Sequence, residues 1–458
     1  MNGLDYVVLA VTVAAVLLIG WLSGKKDKSA AEFLMAGKGI NKLQAGFSMA
    51  ATDFGGSGLV GAIGYCYVVG MSGIWWNLAA APAFFLVGLF LAEKIHKMNS
   101  TTVPEYLGKR YSPAVKCFAI VMHVFTNFAS LSVQFTIACT TLYTITGISM
   151  HLSLFISVLL VIILTSGGLR SVVNTDATLF VIIIASVLCL LVAMLYSGAG
   201  IEVIKAGLPA ETFSLSRLGF WKPFSWFVLC MLSYSTNQNY IQRMTAAKNE
   251  GTARFGAFFT AGFYFAISVM IGLIGICASV KIPGITDTNT VFAQALKSFL
   301  PHGIIGLGMA GLFAATISTG TSILHATTTL IINDLWKPLR KVEENSAAVS
   351  TSKIILLLIA LSSTLISLFC SNIIDVIYIA GLFYSVSVFL PLILGMLNSK
   401  ITAAGALLSM IAAVSVSLLW EYNLIERTAA LNALPANVVG LVISAAVLML
   451  SLFIRKKE

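Results

Sequence analysis

Charge is what this sequence has least of. Asp, Glu, Lys and Arg together make up 10% of its 458 residues, against roughly a quarter in soluble domains. Hydrophobic residues make up 58%, and the mean hydropathy is +0.94. A chain this apolar cannot cover itself for water, so the bilayer is its solvent. In place of two or three soluble domains, the length then predicts about a dozen membrane spans joined by short loops.

Other absences exclude chemistries. There is no GxxxxGK[ST] loop, hence no ATP-driven pump of that kind. There is no HExxH and no GxSxG, hence no constellation of an intramembrane hydrolase, and no enzyme is expected. The seven cysteines (Cys66, Cys117, Cys139, Cys189, Cys230, Cys277 and Cys370) include no CxxC pair, so zinc and thiol redox chemistry have no support. No basic stretch precedes the first apolar run, Leu4 to Trp21, which reads as a retained helix rather than a cleaved signal.

What charge there is leans positive, +10 net with a pI near 9.2. In a soluble chain that would suggest nucleic acid. Here the basic residues stand in short loops between apolar runs, where they set orientation, and no nucleic-acid partner is expected. Hydropathy predicts thirteen helices over about 4–22, 43–70, 74–96, 114–146, 150–168, 173–198, 223–245, 252–281, 303–335, 351–371, 372–397, 400–420 and 434–454. With the N-terminus outside, six of the 28 basic residues (Lys205, Arg217, Lys222, Lys281, Lys297 and Arg427) fall outside. The other 22 fall inside, from Lys25, Lys26 and Lys28 through Arg243 and Lys341 to Arg455, Lys456 and Lys457. A miscounted span would spoil that bias. The reading is a multi-pass protein of the cell (plasma or inner) membrane, bathed in lipid, with its C-terminus cytoplasmic. Loops 199–222 and 282–302 have room for short helices, and 336–350 is a polar cytoplasmic loop.

Two spans carry interruptions. The second holds Thr52-Asp53-Phe54-Gly55-Gly56-Ser57-Gly58, whose glycines are poor helix formers. It is either a close-packing patch or a break whose freed backbone groups line a wet cavity, and Asp53 favours the latter because a carboxylate in a span is expensive. The seventh holds the polar run Ser233 to Arg243, either a second break or a helix ending at the cytoplasmic side. Interrupted segments five spans apart point to an inverted-repeat transporter. In the ninth span, Ala315, Ser318, Thr319 and Ser322 fall at i, i+3, i+4 and i+7, one oxygen-rich helical face. That face is either a small-residue packing stripe or a ligand set for a hard cation. With no ATP site, the energy source is an ion gradient. A potential of 100 mV gives about 2.3 kcal/mol per charge and a tenfold gradient about 1.4 kcal/mol more.

The sequence resembles the sodium:solute symporter family over nearly its whole length. The resemblance is carried by Ala51-Thr52-Asp53-Phe54-Gly55-Gly56, by Val103 to Tyr111, by Gly167-Gly168-Leu169-Arg170 through Asp176, by Tyr240-Ile241-Gln242-Arg243 through Lys248, and by Ser318 to Asp334. It implies an all-α, LeuT-like core of ten helices in two inverted repeats, here 43–198 and 199–397. A leading helix and loop (1–42) precede the core and two further helices (398–458) follow it. It implies a sodium site from the carbonyls of Ala51, Phe54 and Ala315 with the hydroxyls of Ser318 and Thr319. In some members a second sodium site matches Asp176, Ser318, Thr321 and Ser322 here, although Asp176 also suits a helix cap. The solute site lies between the two breaks, at Asp53, Ser57, Trp76, Asn77, Asn237, Gln238 and Asn239. Asn77 stands where a sugar-carrying member has a glutamate, and Ser57 and Cys230 stand where proline carriers have aromatics. No arginine or lysine is expected inside the core. The implied activity is sodium-coupled import of a small organic solute (an amino acid, an organic acid or a sugar-like molecule). The alternative is a transport-inactive sensor or scaffold on the same fold.

Overall fold

The computed structural model describes residues 2–25, 29–98, 100–205, 208–340, 347–369, 373–397, 400–426, 428 and 431–455. Cys370, the boundary between predicted spans at 371–372, and the loop charges Lys26, Lys28, Lys341, Arg427, Lys456 and Lys457 lie outside the described residues. Among the described residues there is no strand, only an isolated parallel bridge between Ile40 and Ala247.

The principal helices are α1 (Gly3–Gly24), α2 (Lys42–Asp53), α3 (Ala62–Val69), α4 (Ala80–Leu86), α5 (Val103–Arg110), α6 (Pro113–Thr146), α7 (Met150–Thr165), α8 (Gly168–Tyr196), α9 (Trp221–Thr236), α10 (Gln238–Thr245), α11 (Glu250–Lys281), α12 (Ile304–Ile331), α13 (Ala347–Ser367), α14 (Ile373–Leu397), α15 (Ala403–Glu421) and α16 (Ala436–Arg455). Their starts follow local chemistry. Asn41 and Gln44 form a reciprocal capping box at α2. Ser112 caps α6, with Pro113 pre-set in its first turn, and Asn249 caps α11. Gly147, at φ 73°, ends α6 in the left-handed conformation. Loops 199–222 and 282–302 each carry a short helix, Ala199–Lys205 and Val291–Phe299.

Nine stretches of the described residues are long and apolar enough to cross a membrane, and Met150–Thr165 and Ala436–Leu452 are shorter apolar helices. One of the nine, Ser57–His96, runs 40 residues, twice the length needed to cross. The chain turns inside it at Gly70, φ 75°, where a Cβ would run into the Thr212 carbonyl. That glycine separates the predicted spans 43–70 and 74–96.

The helices sort by what they face. The apolar window of α12 is 89% buried within the protein and that of α1 only 17%. Accordingly α12 is the central element, packed by α8, α6 and α1, while α2 packs on α11 and α8. On the outside, Val7, Val11, Leu18, Phe155, Val192 and Leu365 are exposed, an apolar surface that suits lipid and not water. The hydroxyls of α12 are mostly satisfied within their own helix: Thr327 donates to the Ile323 carbonyl at 2.7 Å, Thr328 to Leu324 at 2.8 Å and Thr329 to His325 at 3.0 Å. Such back-bonding lets a Ser/Thr-rich helix sit buried.

Candidate functional site

The first interruption follows from sterics at Gly55 and Gly56. The backbone leaves the helix at Phe54 (φ −76°, ψ 64°) and resumes as a π turn, Ser57–Gly61. A Cβ on Gly55 would lie 2.5 Å from Thr319 Oγ1, and one on Gly56 2.6 Å from Ile137 Cγ2, both too close for any residue but glycine. The freed Gly56 amide donates to Gln134 Oε1 at 3.4 Å, and Asn77 Nδ2 donates to the Gly58 carbonyl at 2.7 Å. Side chains thus take up the backbone groups that the break releases, as a low-dielectric setting demands. The second interruption is a single extended residue, Asn237 (φ −70°, ψ 133°), between α9 and α10. All eight residues of α10 are buried, so the polar run continues within the protein and does not end at its surface.

Ser318 and Thr319 depart from the self-satisfied pattern of α12. Ser318 Oγ donates to the Ala51 carbonyl at 2.8 Å and Thr319 Oγ1 to the Thr52 carbonyl at 2.8 Å, while both also lie 3.2 Å from the Ala315 carbonyl. Four of the five residues proposed for the first sodium site thereby meet around one buried point. Phe54 closes α2 next to them, its ring edge-on to Phe263. The set is wholly oxygen, the donor type a hard cation takes. It also lies at a helix C-terminus, where the peptide dipole is negative.

Beside it lies a denser polar knot. Asp176 Oδ2 accepts from Ser48 at 2.7 Å, Thr52 at 3.2 Å, Ser322 at 3.3 Å and Arg243 Nη2 at 2.7 Å. Arg243 also donates to Ser48, Ser322 and the Asn239 carbonyl, at 2.8, 2.5 and 2.7 Å. The pair is 1% and 0% exposed. This corrects the expectation that no arginine or lysine stands inside the core. Arg243 belongs to a polar run that reads as the end of a span, but α10 carries it inward onto Asp176. Asp176 is no helix cap either, since it lies on the third turn of α8. Of the residues expected at a second sodium site, Ser322 touches Asp176, whereas Thr321 Oγ1 donates to the Ser318 carbonyl at 2.9 Å. Asp176 Oδ1 is buried and has no hydrogen-bond partner among the described residues.

Between the two breaks is a cavity of about 150 Å³. Asp53, Ser57, Trp76, Asn77, Asn237 and Asn239 all line it. Gln238 does not: its Nε2 donates to the Thr101 carbonyl at 2.7 Å, and its backbone amide faces His123 Nε2 at 3.3 Å, so it is turned toward the loop between α4 and α5. Asp53 is half-buried, and phenols hold it: Tyr234 donates to Oδ2 at 2.7 Å and Tyr240 to Oδ1, while Tyr264 lines the cavity beside them. Trp76 and Trp226 meet edge to face, centroids 5.4 Å apart.

Sequence reasoning missed these tyrosines and the wall made by Asn127, Ser130 and Gln134 of α6. The wall had a signal, since 127, 130 and 134 stand at i, i+3 and i+7, one polar face of an otherwise apolar helix.

Two broken helices, a cluster of oxygens between one break and an unbroken neighbour, and a partly open cavity lined by polar side chains beside them are the features of an ion-coupled membrane carrier. Residues 33–413 match the sequence model of the sodium:solute symporter family, and the chain belongs to that family. It is 26% identical over 380 residues to a sodium/glucose cotransporter of Vibrio parahaemolyticus, covering 74% of this chain and 69% of that protein. It is 24% identical over 470 residues to the osmoregulated proline transporter OpuE of Bacillus subtilis (strain 168), covering 97% and 94%. Its fold superimposes on a Na+-coupled sialic acid symporter, solved substrate-bound and outward-open, with a TM-score of 0.88 over 99% of this chain and 98% of that one. The identity there is 19%, so this likeness speaks for the fold alone.

Proposed function

We propose that the protein imports a small polar organic solute together with sodium by alternating access, as a carrier and not as an enzyme. In this reading the chain crosses a cell membrane thirteen times, N-terminus outside and C-terminus cytoplasmic. Residues 43–198 and 199–397 form two inverted repeats, preceded by 1–42 and followed by 398–458. Sodium entering from outside is held by the carbonyls of Ala51, Phe54 and Ala315 and the hydroxyls of Ser318 and Thr319. The ion bridges the broken α2 to the intact α12, which favours the arrangement open to the outside. The solute then fills the cavity, against Asp53, Ser57, Trp76, Asn77, Asn237 and Asn239. Closure follows, and low internal sodium empties the site. Because the two ligands share one cycle, each raises the other's affinity by the same factor.

The observation that carries this reading is the pair of hydroxyls, Ser318 and Thr319, that reach across to carbonyls at the break. A second sodium at Asp176, Ser318, Thr321 and Ser322 is supported by the unpartnered Asp176 Oδ1. Arg243 already balances that carboxylate, so a cation there is held less tightly than at the first site. The test is uptake into proteoliposomes under an inward sodium gradient. Uptake that needs sodium supports the reading. Uptake that proceeds equally in potassium or choline, or none with any solute, rejects it.

A further inference from the structure

The charged groups inside the helix bundle are unequally matched. Asp176 has Arg243, and Asp334 has Lys116 at 3.0 Å. Asp53 has no such partner among the described residues: its hydrogen-bond partners are phenols, and among the described residues it alone is charged in the lining of the cavity. Phenol donors spread the negative charge but do not cancel it, and an unmatched charge at such a depth is costly.

The first sodium site does not supply the missing charge directly. Along α2, the carbonyls of Ala51 and Thr52 turn to α12, while the Asp53 carboxylate turns to tyrosines of α9 and α10. A carboxylate has about four lone-pair sites, and two phenols use two of them. The others, with the half-exposed face, are left to the cavity. Across the same cavity Asn127 Nδ2 is a buried donor with no partner among the described residues, fit for an oxygen acceptor on the cargo. At about 150 Å³ the space is smaller than the 300 Å³ or more of drug-sized pockets.

We infer that the cargo is a compact amino acid, its ammonium group set on Asp53 and its carboxylate toward Asn127. This rests on the sodium-symport reading and narrows it. A sugar would leave the Asp53 charge uncompensated, and a plain carboxylic acid would face it as a like charge, with no basic residue in the lining to receive it.

The test uses the purified full chain in detergent, with melting followed in sodium chloride and in potassium chloride. The probes are the twenty L-amino acids, D-glucose, myo-inositol, lactate and N-acetylneuraminate. For the amino acid with the largest effect, its des-amino acid is added. The expected result is a sodium-dependent rise in Tm with at least one amino acid and none with its des-amino analogue. Asp53→Asn should raise the concentration for half-maximal shift about thirtyfold or more, the scale of a lost buried charge contact. Stabilisation by sodium alone reads the ion site separately. If sodium alone stabilises but no amino acid adds to it, or if the des-amino acid or a sugar does as well, the amino-acid assignment is overturned while sodium coupling stands. If sodium has no effect either, the symport reading itself fails. The comparison of analogues needs only the wild-type chain, so a poorly folding variant does not blunt it.

Discussion

Asp53 ends the first broken helix and Asp176 packs against it, yet their surroundings differ in kind. Asp176 is fully buried among hydroxyls and paired with Arg243, so its charge is settled within the chain. Asp53 is half-buried, held only by tyrosine hydroxyls, and open to a cavity. In hydrocarbon surroundings a carboxylate with a built-in cation is part of the scaffold, whereas one held by neutral donors keeps a demand that a mobile charge can meet. The contrast separates a fixed joint from a binding surface, although the residues are only one helix apart.

The largest effect tests the joint. Arg243→Met leaves Asp176 buried and unpaired and should cost about 3–5 kcal/mol of stability, read as a large fall in Tm. Asp176→Asn in the same chain should recover much of it. Asp53→Asn should lower Tm far less, because phenols can turn to an amide oxygen, and equal losses at the two positions would erase the distinction drawn here. Next, Ser318→Ala and Thr319→Ala should each raise the sodium concentration for half-maximal uptake about tenfold, the equivalent of about 1.4 kcal/mol. Thr321→Ala, whose hydroxyl bonds within α12, should move it little. A larger effect at Thr321 would shift the ion toward Asp176.

Smaller again, Tyr234→Phe removes one neutral donor from Asp53 and should weaken solute binding by about 1 kcal/mol without altering sodium activation. The smallest effect concerns a carboxylate on the short helix α5, between two apolar stretches. Burial raises the pKa of Glu105, but the Lys109 ammonium, the Thr101 amide and Asn333 outweigh it, and the net shift is downward. Its folded pKa is therefore below its unfolded one. The stability it lends is present above the ordinary glutamate range and is lost as pH falls through the lowered value. Glu105→Gln should flatten the acid limb of the Tm profile slightly, and an unchanged limb would show that the contact is idle.

Much of this was legible in advance because it is local. Apolar runs mark the helices, glycines at 55 and 56 mark one break, and the spacing of Ala315, Ser318 and Thr319 marks an oxygen-bearing face. The rest depends on partners far off in the chain. Arg243 reads with the loop charges because nothing near it in sequence calls for a buried cation, and its partner Asp176 is 67 positions away. The tyrosine cage of Asp53 draws on residues 181 and 187 positions away, a distance that periodicity does not register. Gln238, in the same polar run as Asn237 and Asn239, turned away from the cavity because successive residues of a helix point in different directions.

The small bridge between Ile40 and Ala247 has a mechanical meaning. Ile40 accepts from the Lys248 amide at 2.9 Å and donates to the Ala246 carbonyl at 3.3 Å. The segment leading into α2 is therefore pinned to the segment leaving α10. A tilt applied to one interrupted helix is passed to the other through main-chain links that no substitution short of proline removes. In the proposed cycle the two interrupted helices are yoked at their feet, and the rungs on which ion and cargo would rest would swing together.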